Sequence, residues 1–214
     1  MDRNRERPSC PFEGPNLWAC VFASVGAVAV LGGVGGCVRD AAPAICPDLQ
    51  VGDLVITEVR GPQTRDDALG QWVELHNRSG AAQDLLGLQI RWRRIDGSRT
   101  DFAIIRREVA VENGGYVVIG AGPDADLPAH IDVGMGNDLP TGVPPSAAID
   151  VLACDQLIDR ITYTGLTRTG TYSLALQPPD AVGNDSAAAW CNNSPANNTE
   201  VGPGSPGVAN PPCD

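Results

Sequence analysis

The sequence predicts an all-β protein built as a two-layer sandwich. Three observations carry this. Short apolar or alternating runs recur roughly every 10–20 residues, each bounded by Gly, Pro, Asn or Asp. Glycine (25) and proline (18) are abundant while aromatics make up only 5%, a balance that favours turns and short strands over long helices. Beyond residue 40 no segment shows the periodicity of an amphipathic helix.

The strands follow in order. Residues 53–59, DLVITEV, are rich in β-branched side chains, and Glu58 falls where the face turns polar. A polar loop occupies 60–67. Residues 71–95 predict a hairpin. In its first strand Val73 and Leu75 point one way, and Glu74 and His76 the other, as in a half-buried strand. Asn77, Arg78, Ser79 and Gly80 supply turn chemistry. In its second strand Leu88, Ile90 and Trp92 share one face, and Gln89, Arg91 and Arg93 the other. Asp96–Gly97 is a turn signal. Residues 100–111 continue as strand, with Phe102, Ile104, Val109 and Val111 as apolar candidates. After the turn at 112–115, residues 116–119 form a continuous apolar run, expected as a central buried strand. A loop with Asp124, Asp126, His130, Asp132 and Asp138 spans 120–145. Residues 147–154 and 157–163 read as a strand and its return, turning at Asp155–Gln156. The last strand is 171–176, with Tyr172, Leu174 and Leu176 on one face. From Pro178 on, Asn, Pro, Gly and Ser dominate, anchored by Trp190–Cys191.

The N-terminus carries an address. Residues 17–36, LWACVFASVGAVAVLGGVGG, hold no charge and follow a polar segment with three arginines and three acids. The glycine and alanine content and the small-residue ending favour an export signal over a membrane span. Val34–Gly35–Gly36–Cys37 resembles the bacterial lipobox, which implies cleavage before Cys37 and lipidation of its thiol and new amine. Each buried acyl methylene contributes roughly 0.8 kcal/mol to anchoring. An ordinary secretory signal and an uncleaved membrane helix are the alternatives. The expected organisation is a signal at 1–36, a tether at 37–52 and a folded domain at 53–212.

Four further cysteines, Cys46, Cys154, Cys191 and Cys213, suit an exported protein with two disulfides. Three pairings are open. Cys191 with Cys213 and Cys46 with Cys154 are favoured, the first because it staples the Pro/Gly-rich tail.

All 15 basic residues are arginine and the net charge is -11, which opposes non-specific nucleic-acid binding. The basic cluster Arg91, Arg93, Arg94, Arg99, Arg106 and Arg107 reads either as solvated strand faces paired with acids or as an anion contact, with Arg91, Arg93, Arg94, Arg106 and Arg107 as its candidates. Two histidines, His76 and His130, lack the spacing of a zinc site, and no nucleophile elbow or phosphate loop is present. No metal, cofactor or catalytic residue is expected.

LVITEV (54–59), WVELHN (72–77), DLLGLQI (84–90), NGGYVVIG (113–120), LIDRITY (157–163), TYSLAL (171–176) and Trp190 followed by GPGSPGVAN (202–210) together, in this order, resemble the bacterial form of the lamin tail domain. The resemblance covers about residues 53–210. It implies an immunoglobulin-like sandwich without catalytic activity, and it places Glu58, Glu74 and Asn77 on the family's polar positions. Their expected role is structural: a strand-end carboxylate accepting backbone N–H groups and an Asn shaping a turn. The expected function is a lipid-anchored envelope protein, held to the membrane, with a non-catalytic binding or structural module for a protein or envelope-polymer partner. A hydrolase-associated or weakly catalytic secreted domain is the alternative, and a cation-dependent adhesion module a third.

Overall fold

A computed structural model describes residues 44–64, 68–193 and 204–213. The expected signal, Cys37 and the first part of the tether lie outside the described residues. The described residues belong to one compact unit, Ala42–Asp214. They form β1 (Leu54–Arg60), β2 (Trp72–Asn77), β3 (Gln83–Asp84), β4 (Leu88–Arg94), β5 (Thr100–Ile104), β6 (Ala110–Val111), β7 (Tyr116–Gly120), β8 (Val133–Gly134), β9 (Ala147–Ala153), β10 (Gln156–Tyr163), β11 (Thr171–Leu174) and β12 (Trp190–Asn193). Among these residues the only helical pieces are three-residue 3₁₀ turns. None is long and apolar enough to cross a membrane.

The strands build an all-β sandwich. One sheet has the order β12-β11-β1-β2-β7-β8, the other β10-β9-β4-β5, and β3 pairs with β6 as a small separate ribbon. One core cluster joins both large sheets: Leu54, Ile56, Val73, Leu75, Val117 and Ile119 from the first meet Ile90, Trp92, Ile149, Val151, Ile158 and Ile161 from the second. The alternation seen in the sequence supplies these inward faces. Tyr172 stacks on Trp190, with centroids 4.9 Å apart, and closes one end of the core.

The expected hairpin over 71–95 does not form. β2 pairs with β1 and β7, and β4 pairs with β5 and β9 in the opposite sheet. The connection between them crosses from layer to layer through β3. Asn77 shapes its start, donating from Nδ2 to the carbonyls of Ala81 and Val111 and accepting the Ser79 N–H.

β2 is also not half-buried. Every one of its residues is buried, because a second layer covers the outer side of the six-stranded sheet. There Trp72, Val118 and Ile131 form their own cluster with Leu69 and Leu127. Gly120 permits this approach: a Cβ there would lie 2.6 Å from the Ile131 side chain.

In 100–105 the inward parity is the reverse of the expected one, whereas Val109 and Val111 are buried as expected. Ala103 and Ile105 are buried, whereas Phe102 is 55% exposed. Register explains it, since Phe102 lies opposite Arg91 on the outer side of the four-stranded sheet. The β9–β10 turn falls one residue early, at Cys154–Asp155, with Cys154 at φ 51°.

Disulfides join Cys46 to Cys154 and Cys191 to Cys213. Two such bonds point to an oxidising, extracellular or exported environment. Cys46 and the buried Leu49 attach the latter part of the expected tether to the sandwich.

A buried carboxylate latch and an exposed arginine face

Two groups of polar residues stand out. The first is internal. Glu58 and Glu74 lie directly opposite each other on β1 and β2, just past the β-bulge at Thr57. Both are 0% exposed. They face the outer side of the sheet, where the C-terminal segment 204–210 lies across them. Glu58 accepts the Ser205 N–H at 2.9 Å, the Ser205 hydroxyl at 2.8 Å, the Ser173 hydroxyl at 2.9 Å and the Trp72 indole N–H at 3.3 Å. Glu74 accepts the Thr57 hydroxyl at 2.7 Å and the Gly207 N–H at 2.6 Å. Asn210 completes the clasp by donating to the Thr57 carbonyl, and its Oδ1 competes with Glu58 for the single Ser205 hydroxyl proton.

Burial raises the Glu58 carboxyl above its ordinary value, opposed by its hydrogen bonds from Ser205, Ser173 and Trp72. Burial pushes Glu74 well above its ordinary value, and the neighbouring Glu58 charge adds to this. Two carboxyls in one dry site favour a shared negative charge over two. Glu58, with four donors, is the better carboxylate; Glu74 is the better acid. Nearby, His76 packs against Tyr116 with centroids 4.5 Å apart, and burial lowers its pKa.

A third buried acid sits at the β1 bulge. Asp159 accepts the Ile56 N–H and the Asn184 amide, each at 2.7 Å. Burial lifts its pKa to about 6 against those hydrogen bonds.

The second group is exposed. On the outer side of the four-stranded sheet, register sets Arg160, Asp150, Arg91 and Phe102 in one row across β10, β9, β4 and β5. Asp150 is fully buried and accepts from three guanidinium groups: Arg160 at 2.5 Å, Arg91 at 2.7 Å and Arg93 at 3.1 Å. Burial alone would raise its carboxyl, but Arg160, Arg93 and Arg91 together hold it down at about 2. One carboxylate thus fixes three cations whose side chains are 42%, 37% and 42% exposed. The group carries a surplus of two positive charges.

The five anion-contact candidates therefore divide. Arg91 and Arg93 share this face. Arg94 lies two residues from Trp92 on the inward parity, at the sheet's end, where it lines a separate depression with Ile95 and Asp96. Arg106 is paired with Asp138 at 2.5 Å and Arg107 with Asp124 at 3.1 Å. Sequence reasoning missed Arg160 and Asp150. Their only signal was the odd placement of both charges inside the apolar strands AAIDVLA and QLIDRITY.

No family model matches this chain, and no curated protein matches it in sequence. Among the described residues, no group of three or more His, Cys, Asp or Glu is arranged to hold a metal ion.

Proposed function

We propose that this chain is a lipid-anchored protein of the bacterial cell envelope. Its lamin-tail-like, immunoglobulin-like sandwich serves as a non-catalytic binding or structural module. The observation that supports this best is the fate of the polar residues carried by the resemblance. Glu58, Glu74 and Asn77 are buried and spent on hydrogen bonds that hold the C-terminal strap and the turn after β2. A group that binds or transforms an outside ligand needs access that these side chains do not have. The pieces of the resemblance also meet in space. LVITEV, WVELHN, YVVIG and TYSL are neighbouring strands of one sheet, and the segment from Gly204 to Asn210 straps across them.

The test is lipid labelling. Cells expressing the intact chain and Cys37→Ser are grown with radiolabelled palmitate and fractionated. Label and membrane attachment are expected in the first and lost in the second. Attachment and mobility unchanged by the substitution would overturn the anchored reading. The runner-up, a weakly catalytic secreted domain, draws on the paired acids and the neighbouring His76. Turnover by purified protein that disappears in Glu74→Gln, with the fold intact, would favour it.

A further inference from the structure

The arginine row does not stand alone. Beside it, on the same outer face, Ile104 lies opposite Gln89, and Leu152 lies opposite Gln89 from the other side. This end of the sheet opens into a groove of about 600 Å³ lined by Ala44, Ile45, Leu86, Gly87, Ile104 and Arg106. Ile45 is 59% exposed and Phe102 55%. Gly87, at φ 88°, lets the Ile45 carbonyl approach: a Cβ there would lie 2.1 Å from it. One face therefore combines exposed apolar side chains with a fixed, net-positive guanidinium group, on a chain whose overall charge is -11.

We propose that this outer face of the four-stranded sheet docks on an anionic lipid bilayer, with Arg91, Arg93 and Arg160 contacting headgroup phosphates and Phe102 and Ile45 entering the acyl boundary. Guanidinium groups suit phosphate oxygens, and those held by Asp150 lose little side-chain freedom on contact. Their free N–H groups are the ones Asp150 does not use. Aromatic and aliphatic side chains flanked by arginine are the composition of a membrane-interface surface.

Proximity supports the same occupant, and only this part rests on the anchored reading. Six residues separate Cys37 from Ala44, and the seven steps between them reach about 25 Å at full extension. A lipid on Cys37 would hold the groove that Ala44 lines within that distance of the bilayer. Each basic residue near an anionic surface adds about fivefold to binding. Neutralising the surplus of two charges therefore lowers the docking equilibrium about thirtyfold.

The test uses the full chain with Phe102→Trp in vesicles containing brominated lipid. Trp72 and Trp92 are fully buried and Trp190 nearly so, and Trp18 lies in the leader removed on the anchored reading and is otherwise identical between Phe102→Trp and its unsubstituted parent. Additional quenching relative to the unsubstituted chain thus reports position 102. It is expected in vesicles one part phosphatidylglycerol to about two parts phosphatidylcholine, and not in phosphatidylcholine alone. It should decline as salt shortens the screening length from about 10 Å toward 3 Å. It should also fall in the R91Q/R93Q/D150N/R160Q background, which removes the cations without leaving Asp150 buried and unpaired. The salt series needs no further variant, so a misfolded quadruple does not protect the proposal. Absent quenching in anionic vesicles, or equal quenching in both lipids, overturns it. Shielding of position 102 from acrylamide that grows with protein concentration without vesicles would show a second copy there instead, and also overturns it. Quenching is scored only on chains that float with vesicles, and Cys37→Ser is run in parallel. Failure of the anchor then appears as unchanged flotation, and failure of docking as an unquenched indole at position 102.

Discussion

Replacing Asp159 by Asn should make the protein progressively more stable relative to the parent as the pH rises from 4 to 8. Asp159 is only 4% exposed; the hydrogen bonds it accepts from the Ile56 N–H and the Asn184 amide fall on one oxygen, and the Arg160 backbone N–H adds a further one. An Asn carbonyl oxygen in the same place keeps the first two and removes the buried charge. The folded carboxyl has its pKa raised to about 6, whereas the unfolded group titrates near 3.9. A raised folded pKa means the native state binds the extra proton. The stability from this group is fully present below pH ~4 and is lost as the pH rises through about 6. Two pH units at 1.36 kcal/mol each give a loss on the order of 3 kcal/mol, complete by pH ~7.5. Urea denaturation of both proteins at closely spaced pH values between 4 and 8 measures it. Burial also raises the pKa of Glu58 and Glu74, but these groups are common to both proteins and cancel in the difference. Any cost of the new amide N–H groups is the same at every pH. A difference of constant size across the range, or Asp159→Asn becoming relatively weaker at pH 8, would refute the reasoning.

Removing the Cys191–Cys213 bond, which closes a separation of 22 residues, should cost about 3.4 kcal/mol by chain entropy, read as a lower denaturation midpoint of C191S/C213S against the oxidised parent. Glu58→Ala leaves the Ser205 N–H, the Ser173 hydroxyl and the Trp72 indole N–H without their acceptor and should cost roughly 2–5 kcal/mol, with hydrogen exchange accelerating first in 204–210. Glu74→Gln removes the acid that burial pushes well above its ordinary value. Its stability relative to the parent should rise with pH, because the parent loses its proton-linked stability in that direction; thermal melts at pH 5 and 8 decide this. Asn77→Ala deletes three hydrogen bonds at the crossing between layers and should cost roughly 2–3 kcal/mol in chemical denaturation.

Much of the strand order was legible because a period of two in the residues is a period of two in space. Residues 54–60, 88–94, 147–153 and 156–163 stand within a residue or two of where their alternation puts them. Partnership was not legible. The patterns at 72–77 and 88–94 say that each is a strand, and nothing in either says that they lie in opposite sheets. The signal available was the connection itself, residues 78–87, too long for a tight hairpin. The polar side of β2 misled for a related reason. Glu74 and His76 look solvent-facing until Leu69, Leu127 and Ile131 are known to roof that side. Phe102 misled in the opposite sense, since its apolar character suggested burial while its register with Arg91 turns it outward. The arginine face was half legible: Arg91 and Arg93 alternate correctly, but the acid that gathers them arrives from a strand 57 residues away.

The bond between Cys46 and Cys154 also sets how the molecule carries mechanical load. Tension on the chain ahead of Cys46 passes through sulfur into the tip of the β9–β10 hairpin, bypassing the short stretch around Leu49. That stretch is held by few hydrogen bonds, such as Gly52 N–H to the Ile158 carbonyl, and would otherwise peel first. Pulled from its N-terminal side, the sandwich is gripped at the turn joining two paired strands, and the connector before β1 stays slack.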